Sequence, residues 1–266
     1  MSKIADQQYL KNEQYKDTSN LDARIAIHKR FSTNPYGWNR WVFDTLERLP
    51  AQARILELGC GPAYLWAENA QRIPTGWDIT LSDFSEGMLD AAWRNLVVTG
   101  RNFKFEQIDA LSIPAPDDLF HAVIANHMLY HVPNRTKAIS EICRVLKPGG
   151  RLIATTVGDR HMREIAAWAK RATNGQGALF SDISFTLENG LAQLEPYFSQ
   201  VDIHRYPDGL KITEIEPVMD YIRSATNKDI LSEPALADLC SKLEVELKAE
   251  GMLRVTKDSG LFEAVK

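Results

Sequence analysis

The chain has 266 residues, enough to bury a full core, and its 44% apolar and 25% charged composition lies near the averages of globular proteins. A formal net charge of −4 leaves no basic field to draw the protein onto nucleic acid or another polyanion. Cys60, Cys143 and Cys240 lie far apart with no Cys-x-x-Cys pair, which argues against a zinc site and a disulfide scaffold and predicts reduced thiols and no bound metal.

The segment 1–20 is polar and carries Asp6, Glu13 and Asp17, unlike a secretion signal or a transit peptide. After a candidate cap at Asn20, apolar Leu21, Ile25, Ile27 and Phe31 predict a helix. Trp38, Trp41, Val42, Leu46 and Leu49 predict a second, with Pro35 and Gly37 between the two and Asn34-Pro35-Tyr36 read as a helix start. Strand-like stretches follow at 53–58, 77–82, 103–108, 120–126 and 151–157, with helical segments near 63–73, 85–98 and 135–147 between them. This alternation predicts parallel βαβ units with right-handed crossovers, hence an α/β fold.

Lys147-Pro148-Gly149-Gly150 is expected to end the helix before the fifth strand. Beyond Gly158 the pattern predicts a helix over 185–198, an extended stretch over 201–212, helices over 214–224 and 234–250, and an extended end over 261–265. The last two extended stretches are expected to pair antiparallel at the sheet edge. Thr173–Gly177 (TNGQG) reads as an exposed turn. No apolar run approaches the ~20 residues that span a bilayer, so the expectation is a cytoplasmic protein with no membrane or nucleic-acid partner, as a monomer or homodimer.

The sharpest chemical signal is Arg54-Ile-Leu-Glu57-Leu-Gly59-Cys60-Gly61-Pro-Ala63, a strand ending in an acid, then two glycines one residue apart, then a helix. Glycines at such a bend let the backbone pass close to a ligand lying over the strand ends. A Walker-type phosphate loop needs Lys followed by Ser or Thr after its glycines, where this chain has Ala63-Tyr64-Leu65. A dinucleotide fingerprint wants a small residue where Tyr64 stands. Asp83 follows at the next strand end in Leu81-Ser-Asp83-Phe84-Ser85-Glu-Gly-Met88, and an ionised carboxylate there can accept both hydroxyls of a ribose. The competing reading makes Asp83 a helix cap, a task that Ser85 already suits. Ile108-Asp109-Ala110 ends the third strand and Asn126-His127-Met128 the fourth.

Glu57-x-Gly59-x-Gly61, with the acids that follow in order, resembles the first motif of class I S-adenosylmethionine-dependent methyltransferases over about residues 50–158. Ala63 departs from the longest form of that motif, which has glycine there. The resemblance implies a Rossmann-like, doubly wound seven-stranded sheet, mostly parallel with an antiparallel last strand, plus an N-terminal helical lid. Residues 1–50 would be that lid and 51–266 the cofactor-binding domain, with substrate-facing insertions at about 159–185 and 208–256. The implied cofactor is S-adenosyl-L-methionine.

In that reading Glu57 stabilises the ammonium end of the cofactor, directly or through water, while Gly59, Cys60 and Gly61 admit its methionine part. Asp83 takes the ribose, Phe84 and Met88 flank the adenine, Asp109 receives the adenine amino group, and the Ala110 N–H meets the ring. Asn126 supplies a backbone contact. His127 is either a base toward the acceptor or a wall residue, and His131 is structural. Tyr15 is a candidate cover for the methyl donor, among lid residues Tyr9, Arg24, His28, Arg30, Tyr36, Trp38 and Trp41.

Methyltransferases acting on amino groups of bases or amides carry an Asn-Pro-Pro-Tyr type motif after the fourth strand, where this chain reads Asn126-His127-Met128-Leu129. Arsenite methylation would need thiolates that these cysteine positions do not offer. The expected activity is methyl transfer to an oxygen or nitrogen of a small-molecule acceptor by direct displacement. Its alternatives are an RNA or protein methyltransferase and a non-catalytic cofactor binder.

Overall fold

The computed structural model describes residues 3–173, 183–225, 227 and 230–266. Parallel strands β1 (Arg54–Leu58), β2 (Asp78–Asp83), β3 (Lys104–Gln107), β4 (Phe120–Asn126) and β5 (Leu146–Val157) alternate with helices α4 (Tyr64–Glu68), α5 (Glu86–Val97) and α6 (Arg135–Val145). The chain then returns in β6 (Gln200–Tyr206) and ends in β9 (Ser259–Val265), which enters antiparallel between β5 and β6. The sheet has seven strands, mostly parallel with an antiparallel last strand as the resemblance implies, in the order β3-β2-β1-β4-β5-β9-β6; the two final stretches pair antiparallel as expected, but β9 lies inside the sheet and only β6 at its edge.

The central strands are buried on both faces, which is why β1 and β4 read as nearly unbroken apolar runs. One face packs α6 through Ala138, Ile139 and Ile142 against Leu56, Val123 and Leu152. The other packs Trp66, Ala92 and Leu96 of α4 and α5, with Val42 and Phe43 of α3 (Trp38–Asp44), against Ile55, Ile79 and Ile124. The order reverses between β1 and β4, and such a reversal opens a crevice at the carboxyl ends of the strands.

A third apolar cluster joins the two ends of the chain. Ile27 and Phe31 of α2 (Ser19–Phe31) pack with Ile165 and Trp168 of α7 (Arg163–Ala172), Val218 and Ile222 of α9 (Glu216–Arg223), and Leu239 and Leu243 of α10 (Glu233–Glu250). A second, two-stranded sheet of β7 (Gly209–Ile212) and β8 (Leu253–Thr256) belongs to this layer, and Ser32 bridges to Leu210. The N-terminal segment and the two insertions thus form one cap.

Several boundaries differ from the expectations. Helix α2 starts at Ser19, so Asn20 lies inside it and donates from Nδ2 to the Gln14 carbonyl at 3.2 Å. Pro35 does not open a helix: Asn34 Oδ1 accepts from the Tyr36 N–H at 3.0 Å in a turn, and α3 begins at Trp38 after Gly37 at φ +90°. Helix α6 ends at Val145, and Leu146 already pairs with Phe120, so Lys147–Gly150 is an irregularity within β5. The helix expected over 185–198 is confined to α8 (Gly190–Leu194). Pro207 and Asp208 split the stretch 201–212 into β6 and β7, which belong to different sheets. The turn expected at Thr173–Gly177 lies, from residue 174 on, outside the described residues.

Candidate functional site

The bend after β1 is built by glycines in left-handed backbone, Gly59 at φ +66° and Gly61 at φ +52°. A Cβ on Gly59 would stand 2.8 Å from Met128 Cβ, so the loop after β4 packs directly on this backbone. Ala63 adopts φ +59° and is fully buried, so the position that departs from the longest motif keeps the glycine-like geometry at a cost of roughly 1–2 kcal/mol.

Two of the three expected acids meet around this bend. Asp83 at the end of β2 accepts from the Gly61 N–H through Oδ2 and from the Ser85 N–H through Oδ1, each at 2.9 Å. Ser85 in turn caps α5 by accepting from the Met88 N–H at 3.4 Å. Burial pushes the Asp83 carboxyl above its usual range despite these donors.

Glu57 is 1% exposed and accepts one hydrogen bond, from Trp66 Nε1 at 2.5 Å. No cation among the described residues pairs with it, and burial raises its carboxyl to about 8. A buried acid in this condition gains from a ligand bearing positive charge. Cys60 is buried, and burial with Asp83 and Glu57 nearby raises its thiol well above the usual range, so it presents no thiolate.

Asp109 serves its own turn, its Oδ1 accepting from the Leu111 N–H at 2.9 Å. Ala110 beside it packs into the core with Leu56 and Ile113. Met88 is 2% exposed, and Phe84 is half-buried with Lys11 Nζ 5.6 Å from its ring centre. Asn126 Oδ1 accepts from Thr155 Oγ1 at 2.6 Å, and the same hydroxyl accepts from the His127 N–H at 2.9 Å. This holds His127 at φ +52°, an uncommon backbone for a residue with a side chain.

The N-terminal segment closes over this edge by specific contacts. The Tyr15 carbonyl accepts from Ser85 Oγ at 2.9 Å, and a Cβ on Gly87 would strike the Lys16 carbonyl at 2.2 Å. Tyr64 donates to Asp22 Oδ1 at 2.6 Å, and Arg24 donates to the Ser224 carbonyl at 2.6 Å. His131 Nδ1 lies 2.8 Å from the Ile4 carbonyl, which can only accept. Nδ1 therefore carries the proton, and the Tyr15 hydroxyl donates to Nε2 at 3.0 Å. His131 thereby ties Ile4 and Tyr15 of the N-terminal segment to the loop after β4.

Sequence reasoning missed Trp66 as the donor to Glu57, although its spacing from the strand end was visible. It also missed His161 and Tyr221, which lie in segments flagged only as substrate-facing, and Lys257, which lies just beyond the second of them. Among the described residues no group of His, Cys, Asp and Glu is arranged to hold a metal, and no helix is long and apolar enough to cross a membrane.

A glycine bend and two acids at the switch point of a doubly wound seven-stranded sheet are the arrangement that the sequence resemblance implies, that of a class I S-adenosylmethionine-dependent methyltransferase domain. Residues 56–154 match the family model described as a methyltransferase domain. Among curated relatives, the ubiquinone/menaquinone biosynthesis C-methyltransferase UbiE of Vibrio parahaemolyticus is 34% identical over 118 residues, 44% of this chain and 45% of that protein. The demethylmenaquinone methyltransferase of Thermus thermophilus is 37% identical over 117 residues, 44% of this chain and 52% of that protein.

The chain spans about half the length of these curated relatives. Among solved structures, the phosphoethanolamine N-methyltransferase 2 of Haemonchus contortus with S-adenosyl-L-methionine has a TM-score of 0.60 at 20% identity, covering 100% of this chain and 60% of that chain. The [4+2]-cyclase SpnF has a TM-score of 0.61 at 21% identity, covering 97% of this chain and 95% of that chain. These two likenesses show the fold alone.

Proposed function

We propose that this protein transfers the methyl group of S-adenosylmethionine to an oxygen or nitrogen of a small-molecule acceptor, enclosed by the cap that the N-terminal segment and the insertions form. The observation that carries this reading is the pair of acids, buried Glu57 and half-buried Asp83, around a left-handed glycine bend where no cation among the described residues pairs with Glu57. Glu57 would hold the ammonium end of the cofactor, with Gly59, Cys60 and Gly61 lining its amino-acid part and Asn126 offering a backbone contact. Asp83 would accept the ribose hydroxyls, with Phe84 and Met88 beside the adenine. Asp109 and the Ala110 N–H would meet its edge, and Tyr15 would cover the methyl donor.

When bound, the cofactor supplies a methyl already activated on a sulfonium. The chain has then to align the acceptor and exclude water, and alignment can supply roughly 7–11 kcal/mol of the barrier. His127 at the fourth strand end would face the acceptor. A burial-lowered value of about 4 keeps its imidazole neutral at physiological pH. Carbon as the acceptor atom is the second reading, favoured by the name of the UbiE relatives.

Calorimetric titration of S-adenosylmethionine and S-adenosylhomocysteine tests the assignment beside Asp83→Ala. Binding by the wild type and a loss of tenfold or more in the variant are expected, the size of one or two hydrogen bonds to a charged group. No heat with the wild type, or undiminished affinity in the variant, would refute it.

A further inference from the structure

Four of the chain's six histidines lie half-buried around the loops after β4 and β5, and one of them, His131, is taken up by its contacts to Tyr15 and Ile4. His28 comes from α2, His127 from the end of β4 and His161 from the turn after β5. The His28 and His161 rings lie 6.0 Å apart, and His127 lies against Trp38 at 5.2 Å. Tyr221 of α9 stands edge-on to His28 at 6.2 Å, Tyr130 is 6.4 Å from His127, and Tyr206 lies 5.4 Å from Trp38. The group is continuous with the methyl-donor end of the site, because His127 follows Asn126 and its neighbour Met128 packs on Gly59.

Two details show that this cluster is not a finished core. His28 Nδ1 is buried without a hydrogen-bond partner, a condition that native interiors rarely tolerate without a ligand or water. His161 Nδ1 accepts from the Asp258 N–H at 3.2 Å, which leaves its proton on Nε2 as a free-standing donor.

One cation reaches all three remaining imidazoles. Lys257 acts on His28, His127 and His161, and with burial it holds all three imidazoles neutral. Its partner Asp208 is already satisfied by Ser32 Oγ, Thr33 and the Asn34 and Gly209 N–H groups, and it counters Lys257 at His28. Imidazole N–H donors, planar aromatic walls and a residual positive potential suit one ligand chemistry, a flat ring bearing an acidic hydroxyl.

Resting on the methyltransferase reading, we infer that His28, His127 and His161 form the acceptor chamber and that it binds a phenol or enol in its ionised form. The hydroxyl proton leaves to solvent on binding. The ionised oxygen then forms a bond to the methyl carbon while the carbon–sulfur bond breaks, its electron pair going to sulfur.

The test uses the full chain saturated with S-adenosylhomocysteine and three probes, 4-nitrophenol, 4-nitroanisole and 4-nitroaniline. Saturable binding of 4-nitrophenol is expected, with the phenolate absorption band appearing at a lower pH than for the free probe. The ether and the amine should bind at least about tenfold more weakly. His28→Phe and His161→Gln should weaken phenol binding about tenfold or abolish the spectral shift, while S-adenosylhomocysteine affinity stays as in the wild type and reports an intact fold. Equal binding of the ether, a probe bound without ionisation, no saturable 4-nitrophenol binding, or variants that bind it like the wild type would each overturn the inference. Failure of S-adenosylhomocysteine itself to bind would instead strike the underlying function.

Discussion

Glu57 gives the candidate cofactor site a pH signature. Its carboxyl is 1% exposed, and burial outweighs the single donor from Trp66 and sets it at about 8, against an ordinary value of 4.5. A folded value above the unfolded one means that the folded state keeps an extra proton between these limits. The stability contribution is therefore complete below about pH 4.5 and is lost as pH rises to about 8, by up to roughly 5 kcal/mol at about 1.4 kcal/mol per unit. Glu57→Gln removes that loss, so its melting temperature relative to wild type should climb steadily from pH 5 to pH 8.

Cofactor binding should run the other way. The cofactor's ammonium needs the ionised carboxylate, whose share rises from about 1% at pH 6 to half at pH 8 for a group at about 8. The α-amino group itself begins to lose its proton near 8, which takes back about a factor of two. Affinity should still rise by more than about tenfold between pH 6 and pH 8. Calorimetry in buffers of different ionisation enthalpy counts the protons, and close to one should be released per cofactor bound at pH 6. A flat affinity with no proton release, or a Glu57→Gln variant with the wild-type slope, would show that the carboxylate does not meet the cofactor's charge.

Gly59→Ala and Gly100→Ala separate backbone strain from packing. Both glycines sit in left-handed backbone, at φ +66° and φ +68°, but a Cβ on Gly59 meets Met128 at 2.8 Å whereas one on Gly100 meets nothing within 4 Å. Each should lose about 1–2 kcal/mol to backbone, and Gly59→Ala about 1–3 kcal/mol more to the collision, read as a difference in urea denaturation. Equal losses would contradict the packing of Met128 on the bend. Lys257→Met strips the cation from Asp208, whose side chain is 0% exposed, and should cost about 3 kcal/mol by thermal denaturation, because the hydroxyl and N–H donors remain. Adding Asp208→Asn should recover part of that loss, and a further drop would show that the pair is not the source.

The strand-and-helix core was legible because each of its elements announces its own period. β4 was bounded correctly as Phe120–Asn126 from a run of apolar residues ending in a polar one. Glu57 and Asp83 were legible at their strand ends for the same reason, since a charge that interrupts a buried run has to face something, whereas β3 stops at Gln107 and leaves Asp109 in the turn beyond it.

The cap was not legible, because its pieces are short and take their stability from partners distant in the chain. β7 and β8 have four residues each and exist only as a pair separated by two helices. Asp208 looked like part of an extended stretch, yet it breaks the strand to gather donors from Ser32, Thr33 and Asn34. His161 carries no local pattern at all. Its meaning comes from His28, brought beside it by α2 packing on α9 and α7.

The ninth strand in chain order is not at the edge in space. Because β9 inserts between β5 and β6, a ribosome-bound chain that has made everything up to Thr256 still displays two raw strand edges facing one another across a gap. Such edges recruit foreign strands until they are covered. Deleting β9 would therefore convert a folding domain into a seed for aggregation, so expression yield should collapse with that deletion far more sharply than with loss of any comparable stretch elsewhere.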